Sequence, residues 1–185
     1  MTIKELDYNT YKGQKYQAEI LSDRFLSIEP SDEGFEVKWV MSDEPLRMTI
    51  YEDLLQDWLN EPVAYGAFED DKLIGMVEGF LEKWNNRFVI ANICVFDGAN
   101  RRSGIGTKLM EAILQDAKKS GARMVILETQ SFNFKAISFS LIVADFLIFV
   151  RGVFKLYLEN SQQHKITACA KFIEGTFAVV GIFKI

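Results

Sequence analysis

Histidine, cysteine and basic charge are scarce in this sequence, and each shortage excludes something. The one histidine, His164, lies in the polar tract SQQHK and reads as a solvated loop residue. With no second histidine and no paired cysteines, no metal site is expected. Cys94 and Cys169 are the only cysteines and stand far apart, as reduced core residues of a cytosolic protein do. Lys and Arg number 21 against 26 Asp and Glu, a net charge of −5, which argues against a nucleic-acid partner. A small anion remains compatible, because a local cationic patch needs no basic protein. Long hydrophobic runs are also missing. The most apolar stretch, Ile137–Val150, is too short to span a membrane and carries Asp145. The opening MTIKELDYNTYKGQKY has no apolar segment of the kind a secretory signal needs, so a cytoplasmic location and no membrane partner are expected.

What is present suits one globular domain. The 185 residues are 49% apolar and include 15 Phe, enough for a substantial core. No repeat or low-complexity linker divides them. The expectation is a single domain over residues 1–185, with residues 1–60 its least certain part.

Along the chain, IEPSDEG (Ile28–Gly34) predicts an early loop. Met48–Pro62 places Ile50, Leu54, Leu55, Trp58 and Leu59 at helical spacing, so a helix is predicted there. Val63–Glu69 and Lys72–Glu82 predict a hairpin turning at Asp70-Asp71, and Arg87–Phe96 a third strand. After the loop DGANRRSG, Ile105, Leu109, Ile113 and Ala117 recur every fourth residue, with Met110 and Leu114 widening the stripe and Gly121 closing it. Arg123–Gln130 predicts a buried strand, NFKAISFSLIVADF a second helix and Val153–Glu159 a further strand. Antiparallel strands leading into a strand-loop-helix-strand unit predict a mixed α/β fold rather than an all-parallel sheet.

The stretch RRSGIGTKL (Arg101–Leu109) carries the chemistry. A strand feeding a Gly-rich loop that opens a helix can hold phosphate, since the first-turn N–H groups lack intrahelical partners and the dipole is positive there. Arg101 and Arg102 would add charge-assisted contacts. A plain loop with solvated arginines fits the local pattern equally well. Two nucleotide motifs are excluded. Leu109 stands where a dinucleotide fingerprint needs Gly or Ala, and Gly106 is followed by Thr107-Lys108 rather than Lys-Ser/Thr.

Arg101-x-x-Gly104-x-Gly106 resembles the pyrophosphate-binding motif of the GNAT superfamily of acetyl-CoA-dependent N-acetyltransferases. The context agrees: IANICV before it, VILETQ after it, and then Asn133, Ala136 and Phe139 matching an N-x-x-A-x-x-F element. Within that superfamily the chain most resembles the streptothricin acetyltransferase group, through Trp84-Asn85, RRSGIG, Glu128-Thr129-Gln130 and Asn133–Phe139. The resemblance covers roughly residues 63–157.

It implies a mostly antiparallel central sheet flanked by helices, and direct acetyl transfer from acetyl-CoA to a primary amine. The implied cofactor-binding residues are Cys94, Val95 and Phe96, whose backbone N–H groups face the thioester, then Arg101, Arg102, Ser103, Gly104, Ile105, Gly106 and Thr107, and Asn133, Ala136 and Phe139. Trp84, Asn92 and Glu128 are the implied acceptor contacts. The acceptor would be a small amine such as a streptothricin-type antibiotic; a peptide amine, or acyl-CoA binding without turnover, are the alternatives. Homodimers are common in the family.

The sequence departs from the family at three places. Ala91 and Asn92 stand where the streptothricin group has acidic residues, Ser140 where the thiolate-protonating Tyr stands, and Asp145 where Gly is favoured. Glu78 or Glu82 could act as a remote base through water, and Tyr157 as a replacement acid; ordinary strand roles fit all three as well. Ile166–Gly181 resembles the late element a second time, and the Asn133–Phe139 register is retained for its spacing from Glu128-Thr129-Gln130.

Overall fold

The computed structural model describes residues 1–96, 104–144, 147–151 and 178–184. In chain order the elements are β1 (Thr2–Glu5), α1 (Tyr8–Tyr11), β2 (Lys15–Ser31), β3 (Gly34–Asp53), β4 (Val63–Glu69), β5 (Lys72–Glu82), β6 (Arg87–Val95), α2 (Ile105–Lys119), β7 (Met124–Gln130), α3 (Phe134–Ala144), β8 (Leu147–Arg151) and β9 (Ala178–Lys184). Seven strands form one sheet in the order β1-β4-β5-β6-β7-β9-β8, and β2 and β3 form a separate two-stranded sheet. Among the described residues, only the β6–β7 ladder of the larger sheet is parallel. The mixed, mostly antiparallel α/β architecture expected from the sequence is the one observed.

Several local devices set this arrangement. Asp70 and Asp71 have φ of 48° and 60°, so β4 and β5 are joined by a two-residue turn whose twist matches that of the strands. Ile105, Leu109, Met110, Ile113 and Ala117 are the buried face of α2, and pack with Val77, Phe88, Ile90, Val125 and Leu127 from the sheet. Gly121, at φ 69°, ends that helix in the left-handed conformation glycine adopts most easily. The opposite face of the sheet is covered by Leu6, Leu54, Leu55, Ala64 and Met76.

The N-terminal third corrects two expectations. Met48–Pro62 is not a helix: Met48–Asp53 belongs to β3, and the chain then turns through Leu55 and Glu61, at φ of 54° and 51°. Ile20 pairs with Met48, Ala18 with Ile50 and Tyr16 with Glu52. This ladder with β2 overrides a helical spacing that the apolar residues at 54, 55 and 59 suggested; they are buried as anchors of the turn instead. The loop expected over Ile28–Gly34 contracts to Asp32-Glu33, with Ser31 opposite Gly34. The strand expected over Val153–Glu159, Cys169, His164, and most of the second late-element match lie outside the described residues.

Candidate functional site

The site is made where the parallel ladder stops. β6 pairs with β7 at Phe88–Val125, Val89–Ile126 and Ile90–Leu127, and no further. On the other side of β6, Glu78 pairs with Asn92 but Gly79 pairs with Ile90, so Ala91 is an extra residue in a β-bulge. A bulge bends its strand and increases the local twist. The rest of β6 and β7 therefore diverge, leaving a cleft between Ala91–Val95 and Leu127–Gln130 that opens into a cavity of about 740 Å³.

Three groups of residues close that cavity. At one end stand Gly104, Ile105, Gly106 and Thr107 of the α2 N-terminus. Along one side lie Asn133, Ala136, Phe139 and Ser140. The β2–β3 hairpin forms the remaining wall with Tyr16, Ala18, Glu19, Ile20, Met48, Ile50 and Glu52.

The helix terminus is built for an anion. Lys108 N–H donates to the Gly104 carbonyl, starting the helical ladder and leaving the preceding amides without intrahelical acceptors. Among the described residues no side chain caps the terminus, and its first turn carries no acid. Gly104 has φ 75°, a conformation that disfavours a side chain, and a Cβ built there would meet no described residue within 4 Å. The positive end of α2 thus lines the cavity.

Asn133, Ala136 and Phe139 prove to have structural work as well. Asn133 caps α3: its Oδ1 accepts from Ala136 N–H at 3.2 Å, and its Nδ2 donates to Thr129 Oγ1 at 2.9 Å. A Cβ on Gly106 would stand 3.3 Å from the Phe139 ring, so the glycine lets α2 and α3 approach closely. The Ser140 hydroxyl donates to the Ala136 carbonyl at 2.9 Å, within its own helix.

The amides of β6 divide by ladder phase. Phe96 N–H donates to the Ile74 carbonyl at 2.9 Å, which makes 74–96, 76–94 and 78–92 the hydrogen-bonded pairs with β5. The N–H groups of Ile93 and Val95 therefore point the other way, toward the cleft. Of the three amides expected there, that of Val95 points into the cleft. Cys94 lines the cavity but turns its N–H to β5, and Phe96 is spent on Ile74, its ring 6.0 Å from that of Tyr16. Ile93 takes its place.

Glu78 is fully buried on the opposite strand. Its Oε2 accepts from Leu55 N–H at 2.8 Å, and its Oε1 from Asn92 Nδ2 at 2.7 Å. Burial raises its pKa; these two hydrogen bonds oppose that, and the nearby charge of Glu52 adds to it. Tyr16 is shifted upward too, first by burial and then by Glu78, Cys94 and Glu52. Of the carboxylate residues, Glu52 and Glu128 line the cavity, against one described cation, Lys135; Glu19 borders it too, but alternation with Ala18 and Ile20 turns its side chain to the outer face of the hairpin. Glu19 also pairs with Arg47 at 3.2 Å, and Gln56 donates to Glu52.

Two expected site residues stand elsewhere. Glu82 is ion-paired with Arg87 at the far end of the β5–β6 hairpin, which holds its carboxyl below the usual range; it does not line the cavity. Trp84 is 79% exposed in the turn beyond it, with the Arg87 guanidinium 5.7 Å from its ring centre. Pairing across the hairpin end fixes both residues away from the bulge. Arg101, Arg102, Ser103 and Tyr157 lie outside the described residues. Sequence reasoning missed Tyr16, Glu52 and Ile93; the alternation in KYQAEI and MTIYED was the signal available for the hairpin wall. Among the described residues, no group of three or more His, Cys, Asp or Glu is placed to hold a metal, and no helix is long and apolar enough to cross a membrane.

Residues 31–140 match the acetyltransferase (GNAT) family, and the chain belongs to it. It is a GNAT-family acetyltransferase by that match, which spans more than half its length. No curated protein sequence matches it. Among solved structures, a nourseothricin acetyltransferase is similar over 99% of this chain and 97% of that one, with TM-score 0.67 and 19% identity. A candidate streptothricin acetyltransferase from Bacillus anthracis str. Ames, in complex with acetyl coenzyme A, is similar over 100% and 97%, also with TM-score 0.67 and 19% identity. An acetyltransferase from Bacillus subtilis in complex with CoA is similar over 70% of this chain and 80% of that one, with TM-score 0.51 and 20% identity. At these identities the likeness establishes the shared fold.

Proposed function

We propose that this single-domain protein transfers the acetyl group of acetyl-CoA to a primary amine of a small cationic molecule, of streptothricin type. One observation carries the reading. The cleft between β6 and β7 joins the N-terminus of α2 to a cavity lined by Glu52 of the hairpin and Glu128 of β7.

Each half has a distinct task. The amides of Ile105, Gly106 and Thr107, with Gly104 leaving room beside them, are placed for the pyrophosphate; Arg101, Arg102 and Ser103 belong to the same proposed loop. Acetyl-CoA supplies the thioester. The cleft-facing N–H groups of Ile93 and Val95 stand ready to donate to its carbonyl oxygen as negative charge develops there. Holding donor and acceptor across one cleft supplies orientation.

On the acceptor side, Glu52 and Glu128 attract a protonated amine, whose pKa in free lysine is about 10.4. The amine must shed its proton before attack, and these carboxylates offer water-mediated routes for it. Glu78 is a poor choice of base, since both its oxygens are already occupied. The β2–β3 hairpin walls the acceptor side, which suits a small molecule better than a peptide laid along an open sheet.

Calorimetric titration with acetyl-CoA, followed by thiol release across an amine panel that includes streptothricin and a lysine peptide, tests the proposal. Saturable binding with release on cationic small amines is expected. No binding, with unchanged thermal stability at high acetyl-CoA, overturns it. Binding without release on any amine leaves a protein that holds acyl-CoA only.

A further inference from the structure

Asn92 replaces an acidic residue of the streptothricin group, and the structure shows what surrounds it. An asparagine side chain offers a donor at one end and an acceptor at the other. Which end faces the cavity decides whether it attracts or repels an ammonium group.

The neighbours of Asn92 settle that orientation. Leu55 N–H is a fixed backbone donor and takes Glu78 Oε2 at 2.8 Å. Glu78 Oε1 is then left as an acceptor, 2.7 Å from Asn92 Nδ2. A carboxylate has no hydrogen to give, so Asn92 must turn its amide nitrogen inward. Its carbonyl oxygen, on the other side of the planar group, is left for the cavity that Asn92 lines.

We infer that the fully buried Glu78 is a positioning residue that locks Asn92 with its Oδ1 toward the cavity, where that oxygen accepts a hydrogen bond from the acceptor ammonium. The part that concerns the ammonium rests on the acceptor reading above. A buried carboxylate and a cavity-facing amide together thus present the acceptor atom that a carboxylate would otherwise supply. The arrangement keeps the negative charge one residue behind the wall. The amine meets a neutral oxygen, which holds it without stabilising its protonated form as strongly as a facing carboxylate would.

Substitution can invert the pair and then restore it. In Glu78→Gln, the new side chain must give its carbonyl to Leu55 N–H and turn its NH2 toward Asn92. Asn92 then inverts and shows its own NH2 to the cavity. In the swap Glu78→Gln with Asn92→Asp, the NH2 introduced at position 78 donates to one oxygen of the carboxylate introduced at position 92. The other oxygen of that carboxylate faces the cavity again, and the pair keeps its net charge.

Two readouts decide the matter in the intact protein. The first is proton exchange of the Asn92 side-chain amide by 15N NMR, which needs no acceptor. Protection in wild type and its loss in E78Q are expected; equal protection in both overturns the inference. The second is a titration with n-pentylammonium, followed by NMR shifts at residue 92. Affinity should fall about tenfold in E78Q and return to within about threefold of wild type in the swap. Unchanged affinity in E78Q, or a swap as weak as E78Q, overturns it. Where E78Q alone does not fold, two measurements take its place. An unprotected Asn92 amide in wild type, or a swap about tenfold weaker than wild type, then overturns the inference, and the opposite results support it. Acetyl-CoA titration of wild type, run in parallel, reports separately on the acetyltransferase reading of the cavity.

Discussion

Ile90 and Leu127 form the last pair of the parallel β6–β7 ladder, and the residue after Ile90 is the bulged Ala91. Pairing, bulge and cleft are therefore one geometric event. The strand is held on both sides up to Ile90 and on one side afterwards. That one-sided stretch has cavity-facing amides to offer.

Gly104→Asp should weaken acetyl-CoA binding by at least about tenfold, because it sets a negative charge at the terminus where the pyrophosphate is proposed to sit. Aspartate tolerates the left-handed backbone of that position better than most residues, so the fold should persist. Calorimetry on the folded variant checks this; unchanged affinity would mean that a different loop holds the donor.

Gly79→Ala should destabilise the protein by about 1–3 kcal/mol. The added Cβ would stand 2.6 Å from Phe88 Cε1 and 2.7 Å from the Val89 carbonyl oxygen, and a backbone atom next to a bulge has little room to yield. Urea unfolding measures the loss. A neutral result would show that the strands beside Ala91 are looser than their register implies.

Tyr65→Phe separates scaffold from site. The Tyr65 hydroxyl donates to Asp116 on α2, and neither residue lines the cavity. Removing the hydroxyl should cost about 1 kcal/mol of stability with KM for both substrates unchanged. A shift in either KM would show that this contact reaches the active cleft.

Glu52→Gln should raise KM for a dicationic amine about threefold to tenfold while leaving KM for acetyl-CoA unchanged, since Glu52 belongs to the hairpin wall and not to the α2 terminus. The effect should shrink as salt is added. Equal KM values for wild type and variant at low salt would remove Glu52 from the acceptor wall.

The pH dependence of stability has a definite sign at Glu78. Its pKa is raised in the folded protein, so between the unfolded value of about 4.3 and the folded one the native state holds more proton. This contribution is fully present below the unfolded pKa and is lost as pH rises through the folded pKa. Asp7, Asp23 and Glu82, whose values are lowered by hydrogen bonds to Thr10, Arg24 and Arg87, act in the opposite sense. Thermal unfolding of wild type against E78Q across pH 4–8 isolates Glu78. Wild type should gain stability relative to the variant as pH falls, and a flat difference would contradict the shift.

The α2 side of the cavity was legible because local patterns determine it. A strand, a glycine loop and a four-residue periodicity in α2 are all contained in a short span of chain, and Ile105, Leu109, Ile113 and Ala117 are buried as their spacing required. The hairpin side depends on pairing over distance. Tyr16 and Glu52 come together only through the β2–β3 ladder, and Leu54, Leu55 and Leu59 mimic a helix in the turn that follows. Glu78 was visible as a strand carboxylate, but nothing local tells that Leu55 N–H fills its second oxygen from 23 residues away. Ile93 was missed for a different reason. Ladder phase, which the sequence does not carry, sends its amide toward the cleft and that of Phe96 away from it.

The β2–β3 hairpin shares no ladder with the seven-stranded sheet; Leu26 N–H to the Ser131 carbonyl, at 3.0 Å, is one of its ties to the rest of the chain. A change of charge or length in the hairpin can therefore reshape the cavity wall while leaving in place the β6–β7 register that holds the cleft apart.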